Sequence, residues 1–177
     1  MAALDDPSYL LLHEIRLRGV VEVAGDDEIG RLTELGLVAR ASRGVRITVE
    51  GRTVNAEWAR LEPGGEQEAI VQRAYDRFLP LNHELLRVCH DWQSAPGDWA
   101  IFDRARALDD RMAPITKRVA ATVARFAIYR PQLRDALRRV EDGDKDWMTS
   151  PRIDSYHTVW MRLHEDFLLA LGAEREP

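Results

Sequence analysis

Apolar positions along the chain follow two regimes that change near residue 65. Before it, short apolar clusters alternate with glycines and charged residues; after it, apolar positions recur every three or four residues over long stretches, the spacing of one helix face. In the first regime Asp6 is placed to cap a helix with Pro7 at its first position, running to about Leu17 and stopped by Gly19. A short extended stretch, Val20–Val23, follows. Asp26 or Asp27 then caps a second helix that turns Ile29, Leu32 and Leu35 inward and ends at Gly36. Leu37–Ala41 and Val45–Val49 read as strands, the second alternating Val45, Ile47 and Val49 with Arg46 and Thr48, and Ser42-Arg43-Gly44 joins them as a hairpin turn. A helix from Thr53 to about Leu61 completes this part.

In the second regime, residues 66–93 carry Val71, Tyr75, Phe78, Leu85, Cys89 and Trp92 at helical spacing, with Asn82 in the same row. Leu79, Leu81, Leu86 and Val88 widen the stripe, so this helix is expected at the centre of its domain, kinked near Asp76–Pro80. A long helix is predicted from Trp99 to Phe126. There Ile101, Ala105, Leu108, Met112, Ile115, Val119, Thr122 and Phe126 alternate in steps of four and three, a coiled-coil-like seam that Pro114 bends. Arg104, Arg111, Arg118 and Arg125 recur every seven residues beside it. Either their stems cover the seam while their heads pair with acids on a neighbouring helix, or they form an anion-binding ridge. Asp103 and Asp110, each just before an arginine, favour pairing. Pro131 opens a helix to Glu141 that buries Leu133, Leu137 and Val140, and a last helix runs from about Ile153 to Leu171. The fold class expected is mostly α: a module of helices plus a β-hairpin at residues 1–62, then an α-helical bundle at 66–177.

Eight of the eleven glycines lie at or before Gly65, which fits short elements there and long helices afterwards. The longest apolar runs, such as Phe167–Leu171, are too short for a transmembrane helix, and Met1–Ser8 lacks the basic start and apolar core of a secretory signal. Cys89 has no partner for a disulfide or a structural zinc site, so a reducing cytoplasm is the expected home and no membrane partner is expected. The net charge is −5, and residues 1–60 hold eight basic and ten acidic side chains, so any nucleic-acid contact must come from a local patch. Of 25 basic residues only Lys117 and Lys145 are lysines, a bias that fits a GC-rich bacterial genome.

The order of elements, with Leu35-Gly-Leu-Val38 and then Thr48-Val-Glu-Gly-Arg52, resembles the winged-helix bacterial transcription regulators, MarR-like and relatives. In that family the first motif ends the recognition helix and enters the wing; the second leaves the wing and opens the next helix. The resemblance covers roughly residues 8–60. It implies DNA contacts from Arg31 and from Arg40, Arg43 and Arg46 of the wing. One departure bears on this. The family needs about 30 residues for a strand and two helices where this chain has the 17 residues Gly19–Leu35. One helix is therefore expected to be missing or reduced to Val20–Val23, and the remaining one opens with Asp26-Asp27-Glu28, which repel phosphate. A reduced winged helix with weak or lost DNA binding is therefore expected. The helical part is similar to helical domains that follow winged-helix modules in actinobacterial proteins, a likeness of architecture alone.

Candidate chemistry centres on histidine. His83 and His90 lie seven residues apart on one predicted helix, and His157 and His164 on another. If the two helices pack antiparallel, these imidazoles converge with Asn82, Tyr156 and Trp160 on a pocket for a small-molecule ligand. The opposing reading is hydrogen-bonded histidines on helix flanks. Two turns span about 10 Å, so neither pair can chelate one ion, and no metal and no cofactor are expected. Asp142-Gly-Asp144-Lys-Asp146 has the look of a calcium loop. It fails because Trp147 and Ile153 stand where glycine and glutamate are required, so it is expected to be a solvated loop. No phosphate loop, nucleophile elbow or paired E-x-x-H repeat is present, so an enzyme is not expected. The sequence points to a regulator-like protein whose helical domain senses a ligand or forms a homodimer. A helical-bundle enzyme or metal protein using the histidine face, and a protein-interaction adaptor, are the alternatives.

Overall fold

A computed structural model of the chain describes residues 6–22 and 27–173. The expected end of the first extended stretch at Val23, and Asp26 as an alternative cap, lie outside the described residues. The described residues are mostly helical, with one small three-stranded antiparallel sheet. They form two compact units. One takes in the described residues up to Leu61 together with those from Leu168 onward; the other is Glu62–Phe167.

The first unit contains α1 (Asp6–Arg18), β1 (Val20–Val21), α2 (Asp27–Glu34), β2 (Val38–Ala41), β3 (Gly44–Ile47) and α3 (Val49–Ala59). Gly19 and Gly36 end α1 and α2 with positive φ, +81° and +72°, a backbone that side chains with a Cβ resist. The sheet runs in the order β1-β3-β2, so the first strand lies against the far strand of the hairpin. The register pairs Val38 with Ile47 and Arg40 with Val45 on one face, and Ala39 with Arg46 on the other. Leu12, Ile15, Ile29, Leu32, Leu37, Val38, Val45 and Ile47 form the core, each large side chain contributing roughly 1.5–3 kcal/mol by its burial.

The helix expected from Thr53 begins four residues earlier, at Val49, and β3 ends at Ile47 instead of Val49. Thr48 is the reason. Its Oγ1 accepts from the Gly51 N–H at 3.0 Å, as an N-cap does, and donates to the Gly36 carbonyl at 2.7 Å. Gly51 sits against the Leu37 carbonyl so closely that a Cβ there would lie 2.1 Å from that oxygen. The Thr48–Arg52 motif is thus a helix cap followed by a point of backbone contact.

The second unit contains α4 (Glu66–Ser94), α5 (Trp99–Thr122), a 3₁₀ turn (Ala124–Ile128), α6 (Tyr129–Glu141), α7 (Asp146–Thr149) and the greater part of α8 (Tyr156–Leu171). α4 and α5 run unbroken through Pro80 and Pro114. α5 is capped by Asp98, whose Oδ1 accepts from the Ala100 N–H at 2.8 Å. It ends at Thr122, four residues before the expected Phe126, because Val123 takes an extended backbone. Phe126 remains buried from the 3₁₀ turn that follows. Pro131 falls in the first turn of α6, where a missing N–H costs nothing. α8 starts at Tyr156 rather than Ile153: Ser155 Oγ accepts from the Thr158 N–H at 3.3 Å. The expected solvated loop leads into α7, which buries Met148 completely. The predicted seam of α5 is buried from Ile101 to Val119, as is the α4 row from Val71 to Trp92 with Asn82 in it. Among the described residues no helix is long and apolar enough to cross a membrane.

Two helical glycines make opposite predictions. Nothing lies within 4 Å of a Cβ at Gly30, so Gly30→Ala should stabilise the protein by about 0.5–1 kcal/mol. Gly51→Ala drives a methyl into the Leu37 carbonyl and should destabilise by about 1–3 kcal/mol. Paired urea titrations of the two variants check the sign of each.

Candidate functional site

Three exposed arginines belong to the hairpin. Arg43 sits in its turn, while Arg40 and Arg46 lie on opposite faces of β2 and β3, because side chains alternate along a strand and the register pairs each with a different face. None of the three makes an ion pair among the described residues. Arg31 stands apart on α2, with its guanidinium 3.8 Å from the Glu28 carboxylate one turn earlier. Glu28 also accepts the Ser8 hydroxyl of α1, so the acidic start of α2 is used within the fold.

The arginines spaced by seven beside the α5 seam mostly pair. Arg104 meets Asp91 at 2.7 Å, and Arg111 meets Glu84 through two nitrogens at 2.6 and 2.9 Å. This fork holds the Glu84 carboxyl below its ordinary pKa and the Arg111 guanidinium above its own. Arg125 meets Asp166 at 2.8 Å in a buried pair. Of the ridge only Arg118 has no acidic partner among the described residues.

Two carboxylates are buried in this unit, and each is held by one arginine and one tyrosine. Asp109 on α5 lies 2.6 Å from Arg130 Nη1 and accepts the Tyr156 hydroxyl at 3.4 Å. Asp166 on α8 is bound by Arg125 and accepts the Tyr129 hydroxyl at 2.9 Å. Burial, and then the adjacent carboxylate, push both tyrosine pKa values well above the ordinary phenol value. A third buried polar pair joins Trp160 Nε1, as donor, to Asn82 Oδ1 at 3.0 Å.

The expected ligand residues therefore separate into two groups. Asn82, Tyr156 and Trp160 are in the core, with the Tyr156 and Trp160 rings 5.8 Å apart, and the Tyr156 hydroxyl, Trp160 Nε1 and Asn82 Oδ1 are committed to protein partners. His83 and His90 are exposed on α4. His157 is half-buried, and desolvation lowers its pKa. His164 shares a hydrogen bond of 3.1 Å with the Tyr75 hydroxyl, and its ring lies 5.2 Å from Phe78. Two of the four imidazoles are thus exposed on α4, and two are half-buried on α8. Among the described residues no three His, Cys, Asp or Glu side chains are grouped as metal ligands. Burial pushes the Cys89 thiol up to about 12, so it is a packing residue with little thiolate character.

The larger concavity lies elsewhere. An open cleft of about 720 Å³ runs between α5 and α6, with Asp109 and Arg130 in its wall, Phe102 and Leu137 as apolar surface, and Arg134 and Asp110 at its edge. A groove of about 270 Å³ between α4 and α5 is lined by Glu84, Arg87, Arg104 and Arg111. Neither contains a histidine. Tyr156 is not in the lining of the larger cleft but bonds to Asp109, which is. Sequence reading passed over this cleft because its lining is a set of charged positions on two helices remote in sequence. The four-and-three spacing of Phe102, Arg106 and Asp109 was its only local trace.

No known protein family matches the chain, and no curated protein or solved structure matches it either.

Truncating Arg130 leaves the Asp109 carboxylate buried beside a tyrosine with no cation. Arg130→Ala should therefore cost about 3 kcal/mol, and adding Asp109→Asn should recover a large part of that loss. A double-mutant cycle by chemical denaturation measures both.

Proposed function

We propose that the chain is a regulator-type protein: a reduced winged-helix unit followed by a helical unit that senses a small ligand and pairs two copies. The observation that carries this reading is the sheet order β1-β3-β2 around a hairpin that presents three exposed arginines. In a winged module that hairpin is the wing, and its charges approach the DNA backbone from two faces and the tip. α2 offers Asp27 and Glu28 in its first turn, and its one arginine faces a carboxylate, so helix-directed base reading is weak. DNA contact in this reading is electrostatic and wing-led. The α5–α6 cleft supplies the sensing part, since it combines apolar surface with fixed charges of both signs. Pairing of two copies through the helical unit follows from the two-fold symmetry of the sites such modules bind.

Two wing contacts imply roughly a tenfold loss of affinity between 50 and 200 mM salt, because each phosphate contact contributes a slope of about −0.9. Fluorescence anisotropy on duplex DNA should show weak binding with that dependence, and Arg43→Ala with Arg46→Ala should abolish it. Tight sequence-specific binding that survives the double substitution would overturn the wing-led reading.

For assembly, sedimentation velocity at high micromolar concentration should show a dimer, retained when the first unit carries the wing substitutions. A monomer at every concentration would remove pairing from the proposal.

A further inference from the structure

The charges that line the α5–α6 cleft balance. Four arginines and four carboxylates face it, so its walls carry no net charge. Three of each sign are matched. Arg130 of α6 meets Asp109 of α5 at 2.6 Å, and Arg106 of α5 meets Glu141 of α6 at 3.5 Å. Arg138 meets Asp135 at 2.6 Å, and that carboxyl is held below its ordinary pKa by Arg139 and then by Arg138. One group of each sign is left over. Asp110 on α5 and Arg134 on α6 both line the cleft and are exposed, and neither makes an ion pair or a side-chain hydrogen bond among the described residues.

The Asp109–Arg130 contact places these two groups. It joins the helices at one level, and Asp110 is the next residue along α5. Arg134 is one turn along α6 from Arg130, a Cβ separation of about 5–6 Å on one helix face. The two leftover charges therefore flank the same bridge on opposite walls, yet no ion pair joins them. A ligand of net negative charge that reaches Arg134 also meets Asp110, and one of net positive charge at Asp110 meets Arg134. A dipolar ligand meets an opposite charge at both ends. Phe102 and Leu137 add apolar surface that an alkyl side chain can cover.

We propose that the α5–α6 cleft takes a zwitterion of the amino-acid type, with Arg134 binding its carboxylate and Asp110 its ammonium group. The proposal rests on the sensing role given to this cleft above and names its ligand class. The guanidinium donates two N–H groups to a carboxylate in one plane, and the aspartate accepts from the ammonium. None of the three matched pairs has to change partner. A free amino acid and a short peptide with free termini share this chemistry.

The test is isothermal titration calorimetry of the full chain with four probes: leucine, the dipeptide leucyl-leucine, N-acetyl-leucine and leucinamide. The zwitterions are expected to bind more tightly than either single-charge analogue by roughly tenfold or more, the worth of one charge-assisted hydrogen bond. Tighter binding of leucine assigns the cleft to a free amino acid, and tighter binding of the dipeptide assigns it to a short peptide. Arg134→Ala should erase the advantage of leucine over leucinamide, and Asp110→Asn its advantage over N-acetyl-leucine. Both variants should melt with the wild-type protein, because neither side chain has a partner in the fold. If N-acetyl-leucine or leucinamide binds as tightly as the zwitterions, the ligand class is overturned while the cleft remains a sensing site. If no probe gives a saturable heat, the ligand class and the sensing role of the cleft fall together. Full retention of the zwitterion preference in both variants also overturns the proposal.

Discussion

The seven-residue repeat of α5 against α4 is the constraint from which the rest of the helical unit follows. Its apolar side, Ile101 to Val119 facing Val71 to Trp92, sets the axial register through burial. The flanking ion pairs mark the register but hardly create it. Arg104 and Asp91 are 50% and 41% exposed in their side chains, and such pairs contribute about 0.2–1 kcal/mol. Once the register is fixed, Asp109 is forced inward one residue beyond Leu108, and the arginines of the outer flank must meet whatever α4 presents at each level.

Burying Asp109 and Asp166 has a cost that the surrounding groups offset. Each carboxylate receives a guanidinium and a phenol, so the charge is both paired and hydrogen-bonded. These contacts tie α5 to α6 and α8, and the 3₁₀ turn and α6 to α8, through groups that tolerate little sliding. Trp160 with Asn82 does the same between α8 and α4. Apolar packing is non-directional, whereas each of these polar pairs requires a set geometry. That selectivity is the use to which these buried groups are put.

The helices of the second unit were legible because their apolar spacing is regular and long. Their ends were less so, since Val123 and Ser155 act through local backbone choices that periodicity does not report. In the first unit the strands were readable, but Thr48 was assigned to a strand although its hydroxyl starts a helix. The pairing of Arg104 and Arg111 with a neighbouring helix could be anticipated from spacing, whereas the identity of their partners depended on a register no sequence states. For the aromatic residues and Asn82, spacing reports burial but not which partner their polar atoms take. Tyr156, Trp160 and Asn82 have the mixed character of a pocket wall, yet their polar atoms meet Asp109 and one another. Residues 47 and 78 positions away decide whether such atoms face a ligand or a protein partner.

Charge use differs between the two ends of the chain, and this bears on the proposed wing. In α2 one acid has a structural role: Glu28 takes the Ser8 hydroxyl and lies near Arg31, so it joins α2 to α1 and faces the one cation that helix offers. The hairpin has the opposite organisation, with Val38, Val45 and Ile47 filling the core while Arg40, Arg43 and Arg46 remain exposed without acidic partners among the described residues. Guanidiniums stay charged at any ordinary pH and are weakly hydrated, so they part with water readily on meeting phosphate. On the α4–α5 flank, Arg104 and Arg111 are paired, while Arg118 is exposed without an acidic partner among the described residues. An exposed guanidinium without an acidic partner meets an external anion with less competition than a paired one, and the hairpin arginines are of that kind.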